Sequence, residues 1–285
     1  MMQLCNQDCR SATLPPHQAA PNARLLSRRS ALQSTALALV SSLRAGEASA
    51  AELAAQAGAG GGGTSGGSSG SGSSFISDLY DRSAAEYDAL DGGPLASALD
   101  FPALRSQLLA MARGGVLELA VGTGLNLPHY SWHTHQVTSL TAVDISDGML
   151  DQARQRAAAM GLPAGLVTFQ QGDAADLPFP PGSYDSIVDT FSLCTFDQPA
   201  AALKSAARLL RPQGRLLLLE HARSRHPLVG AYQDLTATTI ARTGGRGCVW
   251  NQQVPEMVEA AGFEILSQEE HLGGLLVSLE ARLVS

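Results

Sequence analysis

A chain of 285 residues, 45% of them hydrophobic, can bury a sizeable core but is too short for two large domains plus linkers. A formal net charge of -7 argues against a general polyanion binder, so nucleic acid is not an expected partner. No apolar run reaches the roughly 18 residues that a membrane span needs.

The first 57 residues hold five arginines (Arg10, Arg24, Arg28, Arg29, Arg44) against three acids (Asp8, Glu47, Glu52), with much Ser and Ala. That is the composition of an organelle transit peptide. Within it, "SRRSALQSTALALVSSLRAGEASA" sets paired arginines before a short apolar stretch and an Ala-Ser-Ala ending at Ala50, which resembles a twin-arginine signal. The other reading is one amphipathic leader helix with an incidental arginine pair. The expected location is the chloroplast, in the stroma or at the thylakoid surface, with the lumen open and the mitochondrion as the alternative. Residues 58–74, almost all Gly and Ser, cannot form a core and are a flexible linker. The folded domain is expected over 75–285. Of the four cysteines, Cys5 and Cys9 fall in the leader; Cys194 and Cys248 lack metal-type spacing and read as reduced thiols.

Beyond the linker, "FISDLYDRSAAEYDAL" and "GPLASALDFPALRSQLLAMA" carry helical spacing of apolar residues. Strands then alternate with helices. Strands are expected near 115–120, 138–143, 166–170 and 184–190, and in an apolar run, Leu216 to Leu219, that follows Gly214. Helices are expected over Ser146–Met160, with Ser146 as N-cap, and near 199–210, 228–242 and 254–261. Two last strands, near 263–269 and 274–282, have no helix between them. The pattern predicts an α/β fold: a doubly wound, mostly parallel, seven-stranded sheet with one antiparallel edge strand.

The first strand, Val116 to Ala120, breaks into Val121-Gly122-Thr123-Gly124. Glycines there allow positive φ and let the backbone approach a ligand. In an open α/β sheet, ligands bind beyond the carboxyl ends of the strands. The next strand closes on Val143-Asp144, 20 positions past Gly124, where an acid can accept hydrogen bonds from both ribose hydroxyls. The third leads to Gly172-Asp173-Ala174, an acid and an amide that can read an adenine edge. The spacing differs from the G-x-G-x-x-G of dinucleotide enzymes. An adenosine with free ribose hydroxyls fits all three features.

The segments "VLELAVGTGLN", "LTAVDISDGMLDQAR", "FQQGDAADLPFPPGSYDSIVDTFSLC" and "LLRPQGRLLLLEH" resemble, in order and spacing, the class I S-adenosylmethionine-dependent methyltransferases over about residues 78–270. "YDRSAAEYD" and "DLPFPPGSYDSIV" are similar to the branch that holds ubiquinone and menaquinone methyltransferases. "LCTF", "LLEHARS", "GCVWN" and "VEAAGF" are similar to the Oms-like / phospholipid N-methyltransferase-like group. One departure is Ala120, where the family often has its first glycine; a slightly different turn is expected, with binding kept.

The resemblance implies S-adenosylmethionine as cofactor. Cofactor contacts are expected from Glu118, Gly122, Thr123, Gly124, Asp144, Ile145, Asp173, Ala174 and Thr190. Glu118 would hold the turn's amides or the methionine ammonium, or be a salt-bridged structural acid. Thr123 would face the methionine carboxylate or sulfonium. Tyr80 and Tyr87 would form an aromatic lid over the sulfonium, or core packing. His221 would point into the cleft as a general base or a cleft-lining hydrogen bonder, with Cys194 and Asn251 as substrate contacts. His129, His133 and His135 lack the spacing of a metal site, and no metal is expected. The implied reaction is in-line methyl transfer to a small lipophilic acceptor: a quinone precursor, a lipid or an isoprenoid. Arg223, Arg225, Arg242 and Arg246 could meet a membrane surface or a phosphate, or be solvated. Two other functions remain open: a non-catalytic assembly factor that keeps the cofactor fold, and an NAD-dependent oxidoreductase.

Overall fold

The computed structural model describes residues 72–88, 93–134, 136–243 and 246–284. The expected leader, most of the linker and His135 lie outside the described residues. The first helix, α1, spans Gly72–Ser83, so the last three residues of the expected linker supply its first turn.

After α1 come α2 (Pro94–Ala98) and α3 (Phe101–Leu109), and then the sheet begins. The strands are β1 (Gly114–Leu119), β2 (Val137–Asp144), β3 (Val167–Gln171), β4 (Tyr184–Thr190), β5 (Leu210–His221), β6 (Phe263–His271) and β7 (Leu276–Leu283). Helix α4 (Asp147–Ala159) joins β2 to β3, and α5 (Pro199–Leu209) joins β4 to β5. Helices α6 (Pro227–Thr243) and α7 (Val254–Ala260) lie between β5 and β6. The α4 boundary follows from its cap: the Ser146 side chain accepts from the Met149 amide at 3.1 Å.

The spatial order is β3-β2-β1-β4-β5-β7-β6. The pairs from β3 through β5 are parallel; β7 runs antiparallel to both its neighbours. The one antiparallel strand therefore sits a place in from the edge, and β6 forms the edge itself. Because β6 and β7 join through a short turn, they pair antiparallel, and β7 hydrogen-bonds along the edge of β5. Successive residues of β5 serve opposite faces: Leu216 and Leu218 pack with Leu203, Leu209, Val254 and Val258, whereas Leu217 and Leu219 pack with Leu109, Leu150 and Ala153. A strand covered on both faces reads as a continuous apolar run, as this one does. Each such leucine contributes at most about 1.5–3 kcal/mol through burial.

Strand order reverses between β1 and β4, so the loops after β1, β2, β3 and β4 diverge around a crevice at the sheet's carboxyl end.

Candidate cofactor site

At that crevice lies an open cleft. Gly122, Asp144, Ile145, Asp173, Ala174 and Thr190 line it, and Tyr80 and Tyr87 close one side.

The turn after β1 is built on positive φ. Ala120, Gly122 and Gly124 have φ of 45°, 56° and 82°. The Val121 amide continues the ladder by donating to the Val143 carbonyl at 2.8 Å. The two glycines do different work. A Cβ on Gly122 would meet nothing within 4 Å, and this residue is on the cleft wall. A Cβ on Gly124 would come within 2.8 Å of Leu127 and 3.3 Å of Ala153 on α4. Gly124 thus lets the turn lie close on α4, away from the ligand space. Ala120 holds the left-handed conformation a glycine adopts freely, so the turn keeps its shape at a cost of roughly 1–2 kcal/mol.

Asp144 is 6% exposed, and its carboxylate is clamped by backbone. Oδ2 accepts from the Gly122 amide at 2.8 Å, and Oδ1 from the Ser146 amide at 2.9 Å. Burial raises its pKa to about 6, against the lowering effect of those amides and that of Ile145. The clamp ties the end of β2 to the glycine turn. Asp144 also lines the cleft. Asp173 is exposed beside buried Ala174, and its Oδ1 accepts from the Ala175 amide at 2.9 Å.

Glu118 stands elsewhere than expected. It is 1% exposed, and its carboxylate accepts from Asn126 Nδ2 at 2.9 Å and from the Tyr130 hydroxyl at 2.8 Å. The turn amide that finds a carboxylate is that of Gly122, on Asp144. Burial raises the Glu118 pKa to about 7, and burial together with Glu118 pushes the Tyr130 hydroxyl well above its usual value. Arg105, 9% exposed on α3, completes this network by donating to Asn126 Oδ1 at 2.6 Å and Thr190 Oγ1 at 2.7 Å. Thr190 therefore lines the cleft with its hydroxyl already accepting from Arg105 and Asn126. Thr123 is buried, and its hydroxyl donates to Asp88 Oδ1 at 2.5 Å rather than facing the cleft. The same Asp88 pairs with Arg156, whose Nε donates to the Thr123 carbonyl. The turn's hydroxyl is thus used to fasten the segment after α1.

Tyr87 in that segment pairs with Tyr80 of α1. The Tyr80 and Tyr87 rings lie 6.2 Å apart, tilted by 53°, and the Arg246 guanidinium stands 5.1 Å over Tyr87. Asp81 anchors α1 to the start of α4: its Oδ1 accepts from Ser146 Oγ at 2.5 Å and from the Gly148 amide at 2.9 Å. A Cβ at 148 would lie 3.1 Å from Asp81 Cα, so any other residue there would push α1 off by a few tenths of an ångström.

The expected substrate and base residues are placed differently. His221, Cys194 and Asn251 do not line this cleft. Asn251 is at the surface, donating to Asp234, which also binds Arg223. His221 packs its ring edge on that of Phe191, 5.5 Å away, and turns Nδ1 toward Cys194 and Cys248. Side chains alternate along β5, so Glu220, which accepts from the Ser192 amide, and His221 diverge. His129 bonds Ser106 at 2.6 Å, and neither it nor His133 joins a metal-capable group among the described residues.

Phe191 is the wall residue that sequence reading missed. It follows β4 at φ 59°, stacks on Phe101 at 5.0 Å, and lies beneath the Arg105 guanidinium at 4.8 Å. Ile76 and Phe196 add apolar wall nearby. "TFSLC" carries no sign that its phenylalanine is left-handed, and Arg105 in an amphipathic helix reads like any solvated arginine.

A family profile described as "Methyltransferase domain" matches residues 117–218. The chain is 31% identical over 225 residues to the ubiquinone/menaquinone biosynthesis C-methyltransferase UbiE of Pseudoalteromonas translucida, covering 72% of this chain and 88% of that protein. It is 28% identical over 184 residues to mitochondrial methyltransferase OMS1 of Saccharomyces cerevisiae, covering 59% of this chain and 38% of that one. To phosphatidylethanolamine N-methyltransferase of Cereibacter sphaeroides it is 37% identical over 136 residues, covering 47% and 64%. The chain therefore spans less than two thirds of the length of the latter two. Among solved structures, the [4+2]-cyclase SpnF superposes with a TM-score of 0.59 at 20% identity, covering 74% of this chain and 96% of that one, which speaks for the fold alone. With the fold and these relatives together, the chain belongs to the class I S-adenosylmethionine-dependent methyltransferases.

Proposed function

We propose that this protein transfers a methyl group to a small lipophilic acceptor, a quinone precursor, a lipid or an isoprenoid, delivered from a membrane surface. S-adenosylmethionine, the family's cofactor, supplies a methyl group already activated on a sulfonium. What the chain adds is position and exclusion of water. The observation that carries the reading is Asp144: a buried carboxylate on the cleft wall, fixed by backbone amides where a ribose would lie.

The remaining roles follow from position. Asp173 and Ala174 border the adenine end, and Ile145 flanks the ribose. Tyr80 and Tyr87 present ring faces where the sulfonium charge would lie. Ile76, Phe191 and Phe196 offer an apolar wall to the acceptor. No side chain of the cleft is assigned as a base, since His221 faces the thiols.

Two observations support the lipophilic acceptor. Two relatives are named for quinone and phospholipid methylation. Helix α6 presents Leu228, Tyr232 and Leu235, exposed by 77%, 45% and 83%, at the i, i+4, i+7 spacing of one helix face. Beside them Arg242 is exposed, as expected of a helix resting on an anionic lipid surface. Organellar placement rests on the arginine-rich leader and on the mitochondrial yeast relative.

Calorimetry and turnover together test the proposal. The protein should bind S-adenosylmethionine and not NAD, and labelled cofactor should yield labelled lipid from organelle membranes. Asp144→Ala should weaken binding by roughly 100-fold, the worth of two hydrogen bonds to a charged acceptor. Affinity should also fall as pH drops through about 6, where Asp144 takes up a proton and loses acceptor capacity. Binding without product across such extracts would move the protein to the assembly-factor reading. Unchanged affinity in Asp144→Ala would remove the cofactor assignment.

A further inference from the structure

Behind Phe191, the fold gathers three soft-metal ligands that lie far apart in sequence. Cys194 belongs to the turn after β4, His221 ends β5, and Cys248 follows α6. The Cys248 thiol donates to Cys194 Sγ at 2.9 Å, and His221 Nδ1 lies 3.8 Å from Cys194 Sγ and 3.9 Å from Cys248 Sγ. Backbone holds the arrangement, because the Val249 amide donates to the Cys194 carbonyl at 2.8 Å. Cys194 is buried, and the other two are half-buried.

We propose that Cys194, His221 and Cys248 form a binding site for a soft divalent cation of the zinc type. The distances decide in its favour. With Zn–S near 2.3 Å and Zn–N near 2.0 Å, one cation can reach all three atoms only if the sulfurs are within about 4.6 Å of each other and each sulfur within about 4.3 Å of the nitrogen. All three separations meet that limit. Tetrahedral angles would need the sulfurs to open by just under about 1 Å, which side-chain rotation supplies. Two buried acids lie nearby. Asp189 and Glu220, both fully buried and within electrostatic reach of Cys194, each keep one carboxylate oxygen with no hydrogen-bond partner among the described residues. Three protein ligands leave a fourth position, on the half-buried side, to water. The site is separate from the cofactor's ribose and adenine contacts, and Phe191 packs between His221 and the cleft residues, so bound metal would stiffen the acceptor wall.

Cobalt(II) is the probe. The reduced full-length chain, with Cys5 and Cys9 changed to Ser, should take up one equivalent and show a thiolate-to-cobalt charge-transfer band that zinc(II) displaces. Cys194→Ser and Cys248→Ser should each weaken uptake by more than the roughly 10–100-fold that loss of a supporting contact costs. Zinc should raise Tm in the parent and leave it unmoved in the Cys194→Ser/Cys248→Ser double variant, whose circular dichroism reports whether it has folded. Absence of the band in the parent would overturn the proposal, as would a band that survives in a folded double variant. S-adenosylmethionine affinity, measured on the same samples, is read independently of the metal.

Discussion

Two pairs of strands end at the same crevice, and each pair carries two buried acids. At the ends of β1 and β2, Glu118 and Asp144 have every carboxylate oxygen engaged: by Asn126 and Tyr130 in the first case, by the Gly122 and Ser146 amides in the second. At the ends of β4 and β5, Asp189 and Glu220 each satisfy one oxygen through Ser192 and leave the other without a partner. Burial raises Asp144 to about 6, Glu118 and Asp189 to about 7, and Glu220 well above the usual carboxylate value. The first pair is a finished scaffold that fixes a turn. The second leaves two buried oxygens unpartnered among the described residues, and it lies beside the thiol–histidine cluster.

The comparison breaks most visibly at Glu118. Glu118→Ala strands the Asn126 amide and the Tyr130 hydroxyl in a dry environment, at about 1–3 kcal/mol for each group. For a domain of this size, Tm should fall by roughly 5–15 °C. Glu118→Gln should lose far less, since its amide can accept from Asn126 and donate to Tyr130. Differential scanning calorimetry of both variants separates a structural carboxylate from one that contacts cofactor: the Gln variant should keep S-adenosylmethionine affinity. Equal losses from Ala and Gln would mean that the charge itself, and not the hydrogen bonds, holds the turn.

The second pair is probed by pH. Asp189 holds its proton to about pH 7, whereas the unfolded chain releases it near 3.8. Between those values the folded state binds more protons, so its contribution to stability is complete at low pH and is lost as pH rises through about 7. Glu118 and Asp144 act in the same direction. Tm should therefore decline from pH 5 to pH 8. Asp189→Asn removes the main like-charge repulsion on Glu220 and should flatten that decline by a few degrees. A slope identical to the parent's would show that the unpaired oxygens are solvated.

These two regions also differ in how far they can be read from sequence. Strand periodicity, the Ser146 cap and the Asp144 position are local patterns, and a short window holds all the information each requires. The partners of Glu118 are eight and twelve residues downstream, still within one turn-and-helix unit, yet no periodicity marks Asn126 and Tyr130 as its donors. Thr123 is expected to face the ligand through its hydroxyl or its amide, and Asp88, from a segment that precedes the sheet, takes the hydroxyl. His221, Cys194 and Cys248 meet only because the segment after α6 returns over β5. Spacings of 27 and 54 residues match no metal motif, so cysteine arithmetic missed them. What sequence hides here is tertiary closure, and buried polar groups depend on it most.

The smallest effect concerns the one place where the finished scaffold is itself strained. Ala120 sits at φ 45°, on the cleft wall, where its methyl group costs roughly 1–2 kcal/mol relative to glycine. Glycine would relieve that cost but lose about 0.5–1 kcal/mol through the greater freedom of its unfolded chain. Ala120→Gly should therefore stabilise by about 0.5 kcal/mol, near the limit of what denaturant titration resolves, with an unchanged m-value. Its more telling readout is cofactor affinity. If the alanine holds the turn rigid against Gly122, the glycine variant should bind S-adenosylmethionine slightly more weakly while being slightly more stable. That opposition of sign would mark the strain as serving the site, because a purely structural residue would move stability and affinity together.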